Sequence, residues 1–284
     1  MVAKIVYGKT IAQSIEKDVA KNIQEMKETF DFSPKIVTVM VGENPESLLY
    51  LNLRDKACKR VGIHSERITL AENTTEKQML HQIRKLNEDS TVHGVLVQLP
   101  LPDQISSQHV YSVLSPLKDV EGFTSVNLGS LLNGEEYIIP CTPLGVLKIL
   151  EHEKTELKGK NVAVVNHSTV VGKPLSILFL NRNATVSVSH VHTSSLKQNT
   201  KRADVLVSAA GVAGLITADY VKSDAFVIDV GIISTDEGIT GDVDQNSVKQ
   251  KAGKLTPVPG GVGPVTVACS LLNMIKTIRN CVKV

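Results

Sequence analysis

The feature that most constrains this chain is an alternation between two hydrophobic periods. Apolar residues recur at helical spacing over 11–30, and the stretch PKIVTVMVG (34–42) is a nearly continuous apolar run of strand length that ends at a glycine. A strand that is apolar on both faces is typical of a parallel sheet with helices packed on each side. The sequence therefore predicts an α/β fold built on parallel sheets.

The alternation runs to the end of the chain in two series, and the second series begins near residue 145. Helices are predicted over 11–30, 48–61, 75–89, 145–153, 173–183 and 265–280. Strands are predicted over 34–42, 64–70, 161–165, 184–190, 204–211 and 226–232, with a further strand inside 92–102 before a proline-rich loop. At 284 residues the chain is long enough for two modest domains or one large one.

Composition excludes several classes of function. The formal net charge is +2, which gives no strongly basic face for nucleic acid. The four cysteines lie far apart, without the close spacing of a zinc site or of a disulfide framework. No apolar run approaches the roughly 20 residues that span a membrane, and the first residues lack the apolar core of a signal peptide. We expect a cytoplasmic protein that binds no metal, nucleic acid or membrane.

A strand, a tight loop and a helix follow one another in NVAVVNHSTVVGKPLSILFL (161–180), as in a Rossmann phosphate loop. The generic G-x-G-x-x-G fingerprint is poorly met, because Asn166 and Ser168 occupy the first two glycine positions and only Gly172 remains. Asparagine tolerates positive φ better than most residues, so Asn166 is still compatible with a tight turn. From these residues alone the loop either holds a dinucleotide or only packs a helix on a strand.

The stretch LLYLNLRDKACKRVGI (48–63) places Tyr50 and Arg54 four residues apart. At that spacing both side chains lie on one face of the predicted helix. Taken alone, Tyr50 is a half-buried helix residue and Arg54 a surface cation.

Four separated stretches carry a more specific signal: GVLVQLPLP (94–102), KDVEGF followed by N-x-G (118–129), PCTPLGV (140–146) and TPVPGGVGPVTVA (256–268). Together with VVGKP (170–174) and the pair Tyr50 and Arg54, they resemble the methylenetetrahydrofolate dehydrogenase/cyclohydrolase family. The similarity covers essentially the whole chain. The resemblance predicts the fold more directly than it predicts the activity.

The resemblance implies two domains and a homodimer. Residues 1–145, completed by 265–284 in a last helix that returns to them, form the folate-binding catalytic domain. Residues 146–264 form a Rossmann-type NAD(P)-binding domain. The implied activity is oxidation of 5,10-methylenetetrahydrofolate to the 5,10-methenyl cation, followed by hydrolysis to 10-formyltetrahydrofolate.

By the same resemblance the catalytic group comprises Tyr50, Arg54, Gln98 and Glu121. The implied substrate-binding residues are Tyr50, Gln98, Leu99, Pro100, Glu121 and Pro264. The amide of Gln98 is expected to orient position 54 or the substrate, or else to cap the loop that follows its strand. Glu121 stands where the family usually has aspartate, and its carboxylate is suited to accept two bonds from the pterin.

Arg54 stands where the family has a lysine that shuttles a proton. A guanidinium stays protonated above a pH of about 12 and has no acceptor lone pair, so it is a poor base. We therefore expect hydride transfer to persist and hydrolysis to be impaired. A fully bifunctional enzyme and a catalytically silent folate- or nucleotide-binding paralogue remain as alternatives.

The NAD(P) site also departs from the family pattern. The family loop G-R-S is Asn166-His167-Ser168 here, and Val191 followed by His192 replaces a common serine. His167 and His192 can each carry partial positive charge near neutrality, although core or surface histidines are the commoner explanation. The residues leave NAD and NADP both open, and NADP is expected, bound more weakly than in the family. The implied cofactor-binding residues are Thr142, Asn166, His167, Ser168, Val171, Gly172, Val191, His192, Gly211 and Ile232.

Overall fold

The computed structural model describes residues 2–30, 32–43, 45–236 and 238–282, without the side chains of residues 45–47 and 49. Its strands are β1 (Lys4–Ile5), β2 (Lys35–Val41), β3 (His64–Leu70), β4 (Gly94–Val97), β5 (Asn161–Val165), β6 (Thr185–Ser189), β7 (Val205–Ser208), β8 (Phe226–Asp229), β9 (Ile233–Thr235), β10 (Gly238–Thr240) and β11 (Lys254–Leu255). Its helices are α1 (Gly8–Thr29), α2 (Pro45–Val61), α3 (Glu76–Glu88), α4 (Ser107–Val113), α5 (Ser125–Leu132), α6 (Cys141–His152), α7 (Gly172–Asn181), α8 (Leu196–Thr200), α9 (Gln245–Val248) and α10 (Val262–Val282).

The chain forms two compact units. The six-stranded unit comprises Met1–Ala12 and Thr142–Thr266, and the three-stranded unit comprises Gln13–Cys141 and Val267–Val284. The α/β class with parallel sheets is confirmed, whereas the predicted domain limits at residues 145 and 265 stay a prediction.

The three-stranded unit is built on a parallel sheet in the order β3-β2-β4. Helix α3 begins at a capping box between Thr75 and Gln78, and it buries Met79, Ile83 and Leu86 in the core. All four residues of β4 are buried, as expected of a strand that is covered on both faces. The side chains that follow β4 therefore leave the sheet at its carboxyl edge, where ligands of parallel sheets bind.

The last helix packs on the three-stranded unit, as predicted. The buried Asn273 of α10 donates from Nδ2 to the carbonyls of Val120 and Ile139, at 2.9 and 2.7 Å. A Cβ atom at Gly94 would lie 2.4 Å from the sulfur of Met274 and 2.6 Å from a Val120 methyl group, so any larger residue would displace these side chains where α10 crosses β4. The segment 118–121 is thereby held between β4 and α10.

The six-stranded unit has an entirely parallel sheet in the order β1-β11-β8-β7-β5-β6. Strand β5 coincides with the predicted strand 161–165 and pairs with β6 on one side and β7 on the other. The predicted strands 204–211 and 226–232 are too long, because β7 ends at Ser208 and β8 at Asp229. Ala209 and Val230 still donate to the Val165 and Ser208 carbonyls of neighbouring strands. Beyond them the backbone turns, and the amides of Gly211 and Gly231 donate to buried carboxylates.

None of the helices within the described ranges combines the length and the hydropathy needed to cross a bilayer. Over the same ranges no three histidine, cysteine, aspartate or glutamate side chains cluster as a metal site requires.

Candidate active site

Tyr50 and Arg54 face each other on α2, one helical turn apart. The guanidinium carbon of Arg54 lies 4.7 Å from the centre of the Tyr50 ring, at a cation–π distance. Arg54 is only 1% exposed, so the interpretation of it as a surface cation is wrong. Helix α2 instead buries this arginine on the same stripe as Leu51, Cys58 and Val61.

The buried guanidinium of Arg54 keeps unused hydrogen-bonding capacity. Its Nε and Nη1 atoms have no hydrogen-bond partner among the described residues. Burial acts to lower the pKa of Arg54, but the neighbouring Tyr50 and Glu121 outweigh it and the pKa is raised, so the group stays a cation. A buried donor without a partner costs about 1–3 kcal/mol, and such groups cluster at functional sites. The arrangement suits a ligand acceptor.

Glu121 is the group of this cluster that titrates near neutrality. Burial and, to a smaller extent, the charge of Asp119 raise its pKa to about 7, against the attraction of Arg54. The hydroxyl of Tyr111 donates to Glu121 Oε2 at 3.4 Å, and the Tyr111 ring meets Phe123 edge-on at 5.4 Å. Near pH 7 this carboxyl group therefore exists in both protonation states.

The other groups around Glu121 do not exchange protons at neutral pH. Burial raises the pKa of Tyr50 to about 12, although Arg54 opposes the shift. Burial also raises the pKa of the Cys141 thiol well above its usual range, and this thiol donates to the Val120 carbonyl at 3.4 Å. Tyr50 and Cys141 are therefore neutral.

Lys118 and Asp119 fix the backbone that carries Glu121. The Lys118 ammonium donates to the carbonyls of Leu86, Asn87 and Asp89. The buried Asp119 carboxylate accepts from the amides of Gly122 and Thr124 and from the Asn127 side chain. The charged residues of the KDVEGF stretch thus divide into two that shape the loop and one that faces Tyr111.

Gln98 follows β4, and its backbone amide donates to the Val39 carbonyl at 2.9 Å. Its side-chain amide donates to the Leu99 carbonyl at 2.7 Å, which is the loop-capping role that the sequence left open. Leu99 and Pro100 continue this loop at the carboxyl edge of the three-stranded sheet. Pro264 belongs to the six-stranded unit, in the first turn of α10.

The loop after β5 is closed by the side chain of Asn166, not by a positive φ at that residue. Asn166 Oδ1 accepts from the amides of Ser168 and Gly172, and its Nδ2 donates to the Ala209 carbonyl at 2.6 Å. Among the residues that the structure describes, those with positive φ other than glycine are Lys154, Asn183 and Asp224. A Cβ atom on Gly172 would lie 2.1 Å from the Asn166 carbonyl oxygen, so the loop admits only glycine there.

The first turn of α7 differs from a standard phosphate-binding helix end. The amides of Val171, Gly172 and Lys173 donate to Ser168 Oγ, Asn166 Oδ1 and the Ser168 carbonyl. Pro174 has no N–H to offer. Because the loop itself uses these donors, an anion at this edge must be bound mainly by side chains.

The predicted cofactor residues of the six-stranded unit lie mostly at the carboxyl ends of neighbouring strands. Asn166, His167 and Ser168 follow β5, Val191 and His192 follow β6, Gly211 follows β7 and Ile232 follows β8. Thr142, Val171 and Gly172 are at helix starts. The shared edge is where parallel α/β sheets bind ligands.

A third histidine joins the two that the sequence singled out. The His190 ring centre lies 4.7 Å from that of His167 and 5.9 Å from that of His192, and all three side chains are exposed. His190 was visible in the SHVH stretch but was not selected. The sequence also does not single out Tyr111, which no short motif marks, or Cys141, although Cys141 lies within the PCTPLGV stretch.

An open groove of about 500 Å³ lies at the opposite, amino edge of the six-stranded sheet. Its lining includes Lys160, Asp204 and Phe226, at the starts of β5, β7 and β8. It contains none of the predicted site residues.

Comparison with known proteins supports the resemblance along the chain. A sequence model of the tetrahydrofolate dehydrogenase/cyclohydrolase catalytic domain matches residues 6–121, and one of the NAD(P)-binding domain of that family matches residues 140–282. The bifunctional protein FolD of Methanosarcina mazei is 45% identical over 273 residues, covering 96% of this chain and 95% of the relative. FolD of Oceanobacillus iheyensis is 43% identical and covers 98% of both.

Solved structures agree with the sequence relatives. The bifunctional FolD enzyme of Campylobacter jejuni matches with a TM-score of 0.95 at 40% identity, over 98% of this chain and 99% of that one. The Trypanosoma brucei dehydrogenase-cyclohydrolase, solved with NADP and an inhibitor, matches with a TM-score of 0.95 at 32% identity over the whole of both chains.

Proposed function

Because this chain belongs to the tetrahydrofolate dehydrogenase/cyclohydrolase family, we propose that it oxidises 5,10-methylenetetrahydrofolate with NADP and hydrolyses the 5,10-methenyl product slowly. The observation that carries the proposal is the buried arginine at position 54, beside Tyr50 and Glu121. Its pKa is raised, so it binds and polarises an acceptor but takes up no proton.

The dinucleotide supplies a hydride acceptor when it is bound, and the chain needs only to align it with the folate. The exposed His167, His190 and His192 fit an anionic dinucleotide that meets few free helix amides, because the Ser168 hydroxyl already donates to Asn166 Oδ1 and accepts from the Val171 amide. The imidazole N–H donors of the three histidines suit the additional phosphate of NADP, which NAD lacks.

The residues of the three-stranded unit bind the folate and hold charge near it. Ionised Glu121 accepts paired N–H bonds from the pterin, and the free Nε and Nη1 donors of Arg54 hold a carbonyl oxygen. Tyr50, neutral because its pKa is about 12, offers a hydroxyl and a ring face. These contacts serve the oxidation step, which requires no proton transfer to or from position 54.

Hydrolysis requires more, since a water molecule must lose a proton and a ring nitrogen must gain one. A family lysine at position 54 exchanges protons, whereas Arg54 does not. One observation favours a second candidate, a fully bifunctional enzyme: the pKa of Glu121 is about 7, which suits a general base near neutral pH. A third candidate, a silent folate- or nucleotide-binding paralogue, predicts no turnover of either step.

We also propose a homodimer and a cytoplasmic location. Strand β6 is the edge of the six-stranded sheet, and Val188 on it and Leu180 on α7 are 41% and 52% exposed, so a second copy can pair with this edge. The buried Cys58 and Cys141 are free thiols, which fits a reducing compartment.

The test compares the natural protein with Arg54→Lys. NADPH formation from methylenetetrahydrofolate measures the first step, and decay of methenyl absorbance, corrected for spontaneous hydrolysis, measures the second. General acid–base help typically contributes about 10²–10⁴-fold, so Arg54→Lys should accelerate hydrolysis by a factor approaching that range, with a smaller effect on oxidation.

The matched control is Arg60→Lys, which makes the same exchange on the same helix at an exposed residue that pairs with Glu16. It should change neither rate. Rapid hydrolysis by the natural protein, with no gain from lysine, would select the fully bifunctional candidate. Folded protein that forms no NADPH or NADH would select the silent paralogue.

A further inference from the structure

Two buried carboxylates lie behind the edge of the six-stranded sheet where the cofactor residues are predicted. Asp229 ends β8, Asp242 follows β10, and both are 0% exposed. Charged side chains are almost never fully buried unless they have partners. The partners of this pair are the Ser208 hydroxyl and backbone amides, and most of those amides belong to the turns that leave β7 and β8.

Asp242 holds the turn after β7. Its Oδ2 accepts from the Ser208 hydroxyl at 2.7 Å and from the Ala210 amide at 2.5 Å. Its Oδ1 accepts from the amides of Gly211 and Val212, at 2.9 and 3.0 Å. All four donors lie within residues 208–212, so a single carboxylate sets the course of the backbone through Gly211.

Asp229 holds Asp242 and the turn after its own strand. Its Oδ1 accepts from the amides of Gly231 and Asp242, both at 3.0 Å, and its Oδ2 accepts from the Val243 amide at 3.0 Å. Gly231 immediately precedes Ile232, the predicted cofactor residue at the end of β8. The two carboxylates thus connect the exits of two adjacent strands.

Two glycines are required because the backbone packs directly on these carboxylates. A Cβ atom at Gly231 would lie 2.4 Å from Asp242 Oδ1, and one at Gly241 would lie 2.0 Å from Asp229 Oδ2. No larger side chain fits at either position without moving a carboxylate. The pair is therefore packed in a single arrangement, as a positioning element requires.

We propose that Asp242, oriented by Asp229, is a positioning residue for the dinucleotide: it fixes the turns that carry Gly211 and Ile232 without touching the ligand. This inference rests on the proposed function, since it takes those turns to contact NAD(P). An amide in place of the Asp242 carboxylate presents an NH₂ group to N–H or O–H donors, so at least one bond is lost and the turn shifts.

The experiment measures NADPH binding directly, by fluorescence titration, alongside the KM of each substrate. Asp242→Asn should raise the Kd for NADPH by about 10-fold or more, because the lost bonds are charge-assisted, while the KM for the folate changes by less than about 2-fold. Ser208→Ala removes one donor to Asp242 and should raise the same Kd by about 2- to 5-fold.

The matched control is Asp204→Asn, at the amino end of β7. Asp204 likewise accepts a hydrogen bond from a backbone amide, that of Asn161, and it pairs with Lys222. It lies at the opposite end of β7 from the turn that carries Gly211. This control should leave the Kd for NADPH unchanged. Asp204→Asn also removes a carboxylate that supports β7. It therefore distinguishes an effect on the stability of the sheet from an effect on the turns that are proposed to contact NADPH.

The outcomes distinguish the two proposals. The positioning role is refuted if the Kd for NADPH is the same in the natural protein, in Asp242→Asn and in Asp204→Asn. If Asp242→Asn does not fold, Ser208→Ala decides, and an unchanged Kd for NADPH refutes the role. If the natural protein binds neither NADPH nor NADH, the proposed function itself fails and this inference falls with it.

Discussion

Replacing Glu121 with glutamine should make the protein more stable at neutral pH, although it removes a predicted catalytic group. The pKa of Glu121 is about 7 in the folded chain, raised mainly by burial, against an ordinary value of 4.5. The folded state therefore binds this proton more tightly than the unfolded state does. Folding gains nothing from ionised Glu121, and above the ordinary pKa the buried charge opposes it.

The pH dependence of this stability difference follows from the difference between the folded and unfolded pKa of Glu121. Below about pH 4.5 the Glu121 carboxyl group is protonated in both the folded and the unfolded state, and it does not change the free energy of unfolding. Between about pH 4.5 and pH 7 it lowers the free energy of unfolding progressively. Each pH unit of pKa difference is worth about 1.4 kcal/mol, so the plateau is about 3 kcal/mol. The attraction of Arg54 is already contained in the pKa of Glu121. Glu121→Gln should therefore equal the natural protein near pH 4.5 and exceed its stability by up to about 3 kcal/mol at pH 8.

The assay is urea unfolding of both proteins at pH 5, 6, 7 and 8. Subtracting the two unfolding free energies at each pH removes contributions that both share, such as that of Asp229, whose pKa burial raises to about 6. Glu88→Gln, an exposed carboxylate at the end of α3, is the control and should show no such trend. A difference between natural protein and Glu121→Gln that is the same at pH 5 and pH 8 would refute the reasoning.

Two further predictions concern the six-stranded unit. His167→Ala should raise the KM for NADP and leave the KM for NAD nearly unchanged, because His167 is one of the three exposed histidines proposed to meet the additional phosphate of NADP. Equal effects on the KM of both cofactors would remove the histidine from phosphate recognition. Gly172→Ala should raise the KM for NADP and cost about 1–3 kcal/mol of stability, because its Cβ would lie 2.1 Å from the Asn166 carbonyl oxygen. Gly129→Ala is the matched control, because Gly129 in α5 has open space around its Cβ position. It should leave the KM for NADP and the stability nearly unchanged. An equal loss of stability in Gly172→Ala and Gly129→Ala would contradict the steric argument.

The sequence by itself determined the order of the elements and the fold class. Strand β5 is an apolar run with a polar loop on its carboxyl side, and its predicted limits of 161–165 coincide with the observed ones. Runs of this kind are recognisable because both faces of a parallel strand must be buried. The sequence also singled out Tyr50 and Arg54 as neighbours, since helical spacing alone brings residues four apart together.

The tertiary structure decided which residues are buried and what their protons do. On α2, Arg54 is 1% exposed whereas Leu53 is 51% exposed, the reverse of what side-chain polarity predicts. No local pattern reveals this, because the burial of Arg54 depends on the surroundings that the fold builds around that face of the helix. The neutral-range pKa of Glu121 and the amide bonds of Asp229 and Asp242 likewise arise from segments that are distant in sequence. Local spacing fixes which side chains share a face, and long-range packing fixes the solvent, charge and donors that each of them meets.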